Sequence, residues 1–178
     1  MQRVTVFFAP FEGESHALLY DACARLYGEE ARMWRIAPGV RGKPYFIGVP
    51  QVHFSISHTD GLWLCALSDR PVGLDAQAVR QVKAELLAER CFHPRERAYL
   101  KEHPESFFAL WAAKESCVKL TGHGIGEHFR DVCTVGADGA FPSVAGASVC
   151  MLTVAGNVPC CLATYVPADV RLLPLRRE

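Results

Sequence analysis

The N-terminal part of the chain alternates between short apolar runs and segments in which apolar residues recur at helical spacing. Residues 3–9 combine β-branched and aromatic side chains in one run, which is typical of a strand. Residues 14–28 place apolar side chains on one helical face and end at Gly28, which predicts a helix. Residues 32–37 indicate a second short strand, and the Gly- and Pro-rich segment 37–50 is expected to form an ordered loop.

The middle of the chain has the pattern of a β-hairpin followed by another strand. Residues 52–58 alternate apolar and polar positions, and a second apolar run at 62–68 follows the turn sequence HTDG. Residues 71–77 predict a third short strand, and we expect this strand to lead into a helix near residues 80–90.

The C-terminal part predicts two more helices and then three strands. Pro94, with Glu96 close behind it, indicates the first turn of one helix. A longer, strongly apolar helix is expected from about Pro104 to the glycine-rich segment 121–126. The order of elements, roughly β-α-ββ-α-α-βββ, is that of an α+β fold. The three last strands, expected to form an antiparallel meander, are residues 131–135, 148–156 and 158–167.

Composition and charge exclude several classes of protein. Half of the 178 residues are hydrophobic and 21% are charged, as in a globular domain or two small halves sharing a core. The 19 basic residues balance 19 acidic ones, so there is no general field for holding nucleic acid or an anionic membrane. The sequence shows neither a run long enough for a membrane span nor the layout of a signal peptide, and we expect a cytoplasmic protein.

The eight cysteines are scattered along the chain, and most have apolar neighbours. No C-x-x-C pair occurs among them. We therefore expect reduced thiols that pack as small hydrophobic side chains, and the spacing does not favour a zinc site.

Charged residues interrupt the long apolar helix. Glu115 and Lys119 are four positions apart, and Trp111 lies four positions before Glu115, so the three side chains share one helical face. Taken alone, this spacing is more typical of a surface ion pair beside a core tryptophan.

Polar residues also end two of the predicted strands. Asp75 lies at the end of an apolar strand, where a buried carboxylate needs a partner, and the alternative is that it is the N-cap of the next helix. Ser57 and His58 precede a glycine turn, where hydroxyl, imidazole and backbone N–H groups could hold a phosphate. An ordinary hairpin end is the alternative for these two residues.

Five short motifs occur in a fixed order between residues 42 and 124. They are GKP at 42–44, FSISHT at 54–59, GLDAQ at 73–77, FHPRE at 92–96 and WAAKESCVKLTGHG at 111–124. In sequence and order they resemble the motifs of the 4′-phosphopantetheinyl transferases, most closely the longer, surfactin-synthetase type. The long motif is similar to the family pattern W-x-x-K-E-S-x-x-K-x-x-G-x-G at every fixed position, which chance would rarely supply.

The resemblance implies both a fold and a reaction. The fold would be a single α+β domain built as a pseudo-twofold pair of α/β halves, roughly residues 1–75 and 76–178, each a helix packed on a small antiparallel sheet. The implied enzyme is of the holo-[acyl-carrier-protein] synthase type. It transfers 4′-phosphopantetheine from coenzyme A, bound between the halves, to a serine of an apo acyl or peptidyl carrier protein, with Mg²⁺, and releases 3′,5′-ADP.

The resemblance also implies partners. Members of the longer type are expected to be monomers, and neither nucleic acid nor a membrane is an expected partner. The carrier protein could belong to fatty-acid, polyketide or nonribosomal peptide synthesis, which the sequence does not distinguish.

Motif by motif, the resemblance assigns catalytic and metal-binding roles to four residues. Asp75 and Glu115 match the metal ligands of the family, and carboxylate oxygens are ligands that Mg²⁺ prefers. Lys119 matches the lysine that meets the phosphate, so Glu115 and Lys119 are both catalytic candidates. Glu96 matches an acidic residue close to the metal site, which could hold a water or take a proton, and it is the third catalytic candidate.

Lys43, Ser57 and His58, together with Lys119, match residues that contact coenzyme A. The chain departs from the family at Gln77, where an acid completes the pattern G-[IV]-D-x-E. A neutral amide is expected to act on the metal only through a water. The N-terminal part is shorter than is usual for this type, and candidates for binding the 3′-phosphate rest on position alone: Arg25, Arg32, Arg35 and Arg41.

Two other functions fit part of the pattern. A non-catalytic module that binds coenzyme A or a carrier protein would explain Gln77, but such a module would not need Asp75, Glu115 and Lys119 together. A metal-dependent phosphoester hydrolase would use Asp75, Glu115 and His58, but the sequence lacks a second metal motif such as D-x-H.

Overall fold

Nine strands, four α-helices and three short 3₁₀ helices form the described part of the chain in a mixed α/β arrangement. The structure, a computed structural model, describes residues 1–122, 129–136, 146–154, 156 and 158–176. The helices are α1 (Ser15–Tyr27), α2 (Ala84–Cys91), α3 (Pro94–Glu102) and α4 (Phe107–Thr121). The strands are β1 (Gln2–Pro10), β2 (Ile36–Pro38), β3 (Pro44–Phe46), β4 (His53–Thr59), β5 (Leu62–Ser68), β6 (Val72–Ala76), β7 (Ser148–Leu152), β8 (Cys160–Thr164) and β9 (Ala168–Pro174).

The strands form two main sheets. The first sheet has the order β4-β5-β1-β9, in which β1 and β9 are parallel and the other pairs are antiparallel. The second sheet has the order β6-β8-β7 and is antiparallel throughout. A separate short pair, β2 and β3, occupies part of the segment expected to be a loop.

Four layers follow from the packing of these sheets. Helix α1 covers one face of the first sheet, whose other face packs on the second sheet, and α4 covers the far face of that second sheet. Strand β5 shows why: Trp63 and Cys65 pack on the α1 side, while Leu64 and Ala66 pack against the second sheet. A strand buried on both faces is expected to read as a continuous apolar run, as residues 62–68 do.

Most of the predicted elements are present, but two expectations were wrong. Residues 131–135, expected to be a strand, have no regular secondary structure. Their backbone groups are instead taken up by the side chains of Glu96 and Lys114, which bind Thr134 N and Val132 O. The alternative that Asp75 is a helix N-cap was also wrong, because Asp75 lies within β6; the helix expected near residues 80–90 is present as α2.

The two sheets do not follow the order of the chain. Strand β6 pairs with β8 in the second sheet, and β9 crosses back to pair with β1. The sequence reasoning missed β9, although Asp169 and Arg171 alternate there with apolar residues. Within the described residues, no helix is long and apolar enough to cross a membrane.

Candidate active site

Helix α4 lies unusually close to strand β6, and Gly73 is the reason. A Cβ atom at Gly73 would lie under 3.0 Å from both the carbonyl oxygen of Ser116 and the backbone nitrogen of Leu120. Only glycine therefore allows this approach of helix to strand. The contact brings Lys119, on α4, beside Asp75, two residues after Gly73 on β6.

Asp75 is the centre of a buried hydrogen-bond cluster. Its side chain is 4% exposed, which requires partners for the carboxylate. Oδ1 accepts hydrogen bonds from Lys119 Nζ at 2.7 Å and from Ser57 Oγ at 2.9 Å. Oδ2 accepts one from Gln77 Nε2 at 2.7 Å. The structure thus brings together four residues that the sequence had singled out.

Polar side chains of strand β4 form hydrogen bonds with the backbone of β6 and of the residues just after it. The hydroxyls of Ser55, Ser57 and Thr59 accept hydrogen bonds from the backbone N–H groups of residues 74, 76 and 78, at 2.9 to 3.1 Å. The polar positions that alternate with Phe54 and Ile56 therefore face the second sheet and not solvent. Ser57 serves both the strand contact and Asp75, and its hydroxyl is buried.

Glu115 lies near Asp75 and Lys119 on the buried side of α4. Burial and the neighbouring Asp75 carboxylate raise the pKa of Glu115 to about 7, against the effects of Lys119 and Trp111, which lower it. The carboxylates of Asp75 and Glu115 therefore have one nearby lysine, Lys119, and form an incompletely neutralised group. Such a group favours a further cation.

His58 extends the site toward solvent. Its ring is exposed and stacks on Phe11, with 4.4 Å between ring centroids and 21° between the planes. Phe11 was missed by the sequence reasoning, because it follows β1 and nothing in its own neighbours marks it. The stacking fixes the imidazole at the edge of the site.

Lys43 lies between strand β6 and helix α4, and its contact with coenzyme A stays a prediction. Its Nζ donates hydrogen bonds to Val72 O at 3.0 Å and to Leu120 O at 2.9 Å. It therefore joins the start of β6 to the last turn of α4, whose carbonyl groups lack helical partners. Burial lowers the pKa of Lys43 to about 8.

Glu96 lies in a second buried cluster. Its side chain is fully buried, and it accepts hydrogen bonds from Lys114 Nζ at 2.9 Å, His93 N at 2.8 Å, Thr134 N at 2.8 Å and Thr134 Oγ1 at 2.7 Å. No hydrogen bond in the described residues joins Glu96 to Asp75, Glu115 or Lys119. That Glu96 lies close to a bound metal stays a prediction.

The donor set around Asp75 fits Mg²⁺ as a shared ion. The described residues contain no group of three or more His, Cys, Asp or Glu side chains that could enclose a metal. Asp75 and Glu115 offer two carboxylates, and Mg²⁺ is commonly held by one or two carboxylates together with substrate phosphates and waters. The site therefore suits a metal that arrives with a phosphate-bearing ligand.

Comparison with known proteins agrees with this geometry. The family model described as the 4′-phosphopantetheinyl transferase superfamily matches residues 71–152, which include β6, α4 and both carboxylates. A 4′-phosphopantetheinyl transferase from Salmonella typhi, AcpT, is 30% identical over 143 residues, covering 76% of this chain and 69% of that protein. The chain belongs to the 4′-phosphopantetheinyl transferase superfamily. The recognition made from the sequence motifs is confirmed.

Relatives of the surfactin type match a smaller part of their own length. A 4′-phosphopantetheinyl transferase of Bacillus subtilis is 34% identical over 114 residues, 61% of this chain and 50% of that protein. The 4′-phosphopantetheinyl transferase Sfp of Bacillus subtilis strain 168 is 30% identical over 113 residues, with the same coverage of 61% and 50%. The matched part of the chain thus spans about half the length of these transferases.

Proposed function

We propose that the chain transfers 4′-phosphopantetheine from coenzyme A to a serine hydroxyl of an apo acyl or peptidyl carrier protein. The bond from phosphorus to the serine oxygen forms, the bond to the 3′,5′-ADP oxygen breaks, and the serine proton is released. The observation that carries this proposal is the pairing of Lys119 with Asp75 beside Glu115. A partly exposed lysine that is held by one carboxylate and lies near a second suits a pyrophosphate that brings its own metal.

Asp75 and Glu115 are the residues that would hold Mg²⁺. When bound, the ion supplies positive charge that neutralises the pyrophosphate oxygens. Gln77 holds Oδ2 of Asp75 through a hydrogen bond of 2.7 Å and so orients the carboxylate. Ser57 does the same at Oδ1. Both contacts fix the carboxylate before any ligand arrives.

Besides the metal ion, the proposed site has a positive charge from the protein itself, the ammonium group of Lys119. Its Nζ is held by Asp75 Oδ1 and by Ile56 O at 3.1 Å, and its side chain is 31% exposed. It is therefore positioned in advance and still open to a phosphate, which lowers the cost of organising the site during the reaction. His58, exposed and stacked on Phe11, is proposed to contact a phosphate of coenzyme A.

The remaining expectations are also proposals. We propose that two related halves share the domain, supported by the matching order of helix and sheet on the two sides of the sheet pair. Division near residue 75, with coenzyme A between the halves, is part of the same proposal. We expect a monomer without nucleic acid or membrane partners, which sedimentation and binding assays would check.

A mass measurement tests the proposed function. The purified chain is incubated with coenzyme A, Mg²⁺ and an apo carrier protein, and the carrier is weighed by mass spectrometry. A gain in the mass of the carrier by one phosphopantetheine group supports transfer. If this gain disappears when a chelator is added, the requirement for a metal ion is supported. An unmodified carrier that nevertheless binds the chain would favour a binding module, and release of phosphate without any carrier would favour a hydrolase.

A further inference from the structure

A fully buried ion pair joins three segments of the chain that are distant in sequence. Lys114 and Glu96 have no exposed side-chain surface, and Nζ lies 2.9 Å from Oε2. Lys114 belongs to the middle of α4, and Glu96 to the first turn of α3. The third segment, residues 132–134, has no secondary structure and binds to both charged groups.

The Glu96 carboxylate of this pair has partners within the protein at both oxygens. Each oxygen of Glu96 accepts two hydrogen bonds: Oε2 from Lys114 and from the N-cap nitrogen of α3, Oε1 from the N–H and hydroxyl of Thr134. Lys114 Nζ also donates to Val132 O and lies 5.1 Å from the ring centre of Phe129 and 5.7 Å from that of Phe92. A carboxylate with four donors and no exposure is poorly suited to exchanging protons with a substrate.

The position of Lys114 connects this pair to the candidate active site. Lys114 directly precedes Glu115 on α4, so a restraint on one side chain fixes the rotation of the helix that directs the other. On its opposite side the same helix is held at Gly73 and through Lys119. Contacts on two sides of α4 therefore prevent the helix from rotating about its axis.

We propose that Glu96 is a positioning residue: through its ion pair with Lys114 it holds α4 in the rotation that directs Glu115 at Asp75. This inference rests on the proposed function, because it concerns the metal-binding use of Glu115. It assigns Glu96 no proton transfer, and so it competes with the role that its motif predicts. The ion pair and a catalytic acid respond differently to replacement, which makes the two roles separable.

The experiment compares Glu96→Gln, Lys114→Met and the double variant, with the exposed Glu102→Gln on the same helix as Glu96 as the matched control. Either single change leaves one buried charge without its partner, and we expect the thermal midpoint to fall by roughly 10 °C. The double variant removes both charges and keeps similar volumes, and its midpoint should recover part of the loss and lie clearly above those of the single variants. The control should not move.

Two functional measurements accompany the thermal one, at a temperature where all variants are folded. Mn²⁺ affinity, followed by loss of the free-ion EPR signal, should weaken about tenfold in the single variants and recover in the double variant. The transfer rate should recover with it. If Glu96 instead accepts a proton, the double variant will bind Mn²⁺ normally and yet remain about a hundredfold or more slower, which overturns the proposal.

Two other results would also overturn it. Single variants as stable as the unaltered chain would show that the ion pair does not hold α4 in place. A double variant as unstable as the single variants would show that the pairing of the two charges is not what stabilises this region. If the unaltered chain shows no transfer at all, the proposed function fails, while the thermal and Mn²⁺ results still decide the positioning role.

Discussion

The ammonium group of Lys119 lies 2.7 Å from Oδ1 of Asp75, across the contact between the long helix and strand β6. Asp75 is almost fully buried, whereas the side chain of Lys119 is 31% exposed. The pair therefore has an inner and an outer partner: the carboxylate is fixed by the fold, and the lysine reaches the surface. A buried acid that orients a partly exposed cation suits the binding of an anionic group.

Replacement of Lys119 by alanine should lower the rate of transfer at least about a hundredfold, because one positioned charge on a transferring phosphoryl group contributes several kcal/mol. The measurement is carrier modification under saturating coenzyme A. Arg171→Ala, on the exposed face of β9, removes a surface charge far along the sheet and should leave the rate unchanged. Near-normal turnover of a folded Lys119→Ala protein would contradict the assigned role.

Gly73→Ala should disrupt the site by pushing α4 away from β6. The added methyl group would lie against backbone atoms of Ser116 and Leu120, which cannot move aside as a flexible side chain could. We expect a loss of about 3 kcal/mol or more in the free energy of unfolding, at the upper end of overpacking costs. Urea denaturation measures it.

Gly48→Ala is the matched control for that loss. Gly48 has a φ of +76° and no atom within 4 Å of an added Cβ, so the change introduces backbone strain without a clash. A cost of about 1–2 kcal/mol is expected there. Equal losses at the two positions would show that the close helix contact is not what Gly73 provides.

Much of this site was predictable because its residues carry local patterns. That Glu115 and Lys119 share one helical face follows from helical spacing, and the strand that contains Asp75 is apolar enough to be recognised. The motif order then indicated that these segments meet. Local periodicity is set by neighbouring residues, and for that reason β4, β5 and α4 were found close to their observed bounds.

Other features depend on contacts between distant residues and carry no local signal. Residues 131–135 have β-branched side chains typical of a strand, but Glu96 and Lys114 take up their backbone groups. Likewise, nothing around Lys43 shows that its Nζ will bind carbonyl groups of β6 and α4. Such outcomes are decided by tertiary contacts that override local preference.

Glu115→Gln should stabilise the metal-free protein at pH 8 while abolishing metal-dependent transfer. Folding raises the pKa of Glu115 from 4.5 to about 7, so between those values the folded state keeps a proton that the unfolded state has lost. Stability contributed by this group therefore falls as pH rises through that window, by about 2 kcal/mol. Glutamine removes this dependence.

Urea denaturation in a chelator at pH 4.5, 6 and 8 measures the effect. The difference in stability between the glutamine variant and the unaltered chain should be small at the lowest pH and largest at pH 8. Glu105→Gln, an exposed change, serves as control. A glutamine variant that is less stable at pH 8 would show that ionised Glu115 is not strained in the metal-free fold.

Binding of the carrier protein should weaken with salt even though the chain has no net charge. Helices α2 and α3 present the exposed basic residues Arg90, Arg95 and Lys101, with the half-buried Arg97 among them. Exposed charges are screened within about 8 Å at physiological ionic strength, so the Michaelis constant for an acidic carrier should rise with salt. If this constant stays flat, or if Arg90→Ala/Arg95→Ala leaves its slope unchanged, the surface is not the docking site.

The last prediction concerns Gln77, whose amide donates to Oδ2 of Asp75 at 2.7 Å. Gln77→Ala removes an orienting hydrogen bond but no charge, and the Mg²⁺ concentration for half-maximal transfer should rise about ten- to a hundredfold. Asp75→Ala removes a proposed ligand and should abolish transfer. Gln77→Glu replaces the amide donor by a second carboxylate beside Asp75. We therefore expect lower stability without metal and a lower requirement for Mg²⁺.

In a chelator, Gln77→Glu should lower the thermal midpoint, because two carboxylates then face each other without a metal ion and Lys119 alone offsets them only in part. With Mg²⁺ present, the same charge should lower the concentration needed for half-maximal transfer, because the ion gains a third anionic neighbour. Titration of Mg²⁺ and thermal melts of all three variants measure both effects. If Gln77→Ala proves as damaging as Asp75→Ala, residue 77 is itself a ligand, and the two-carboxylate site proposed for Asp75 and Glu115 is wrong.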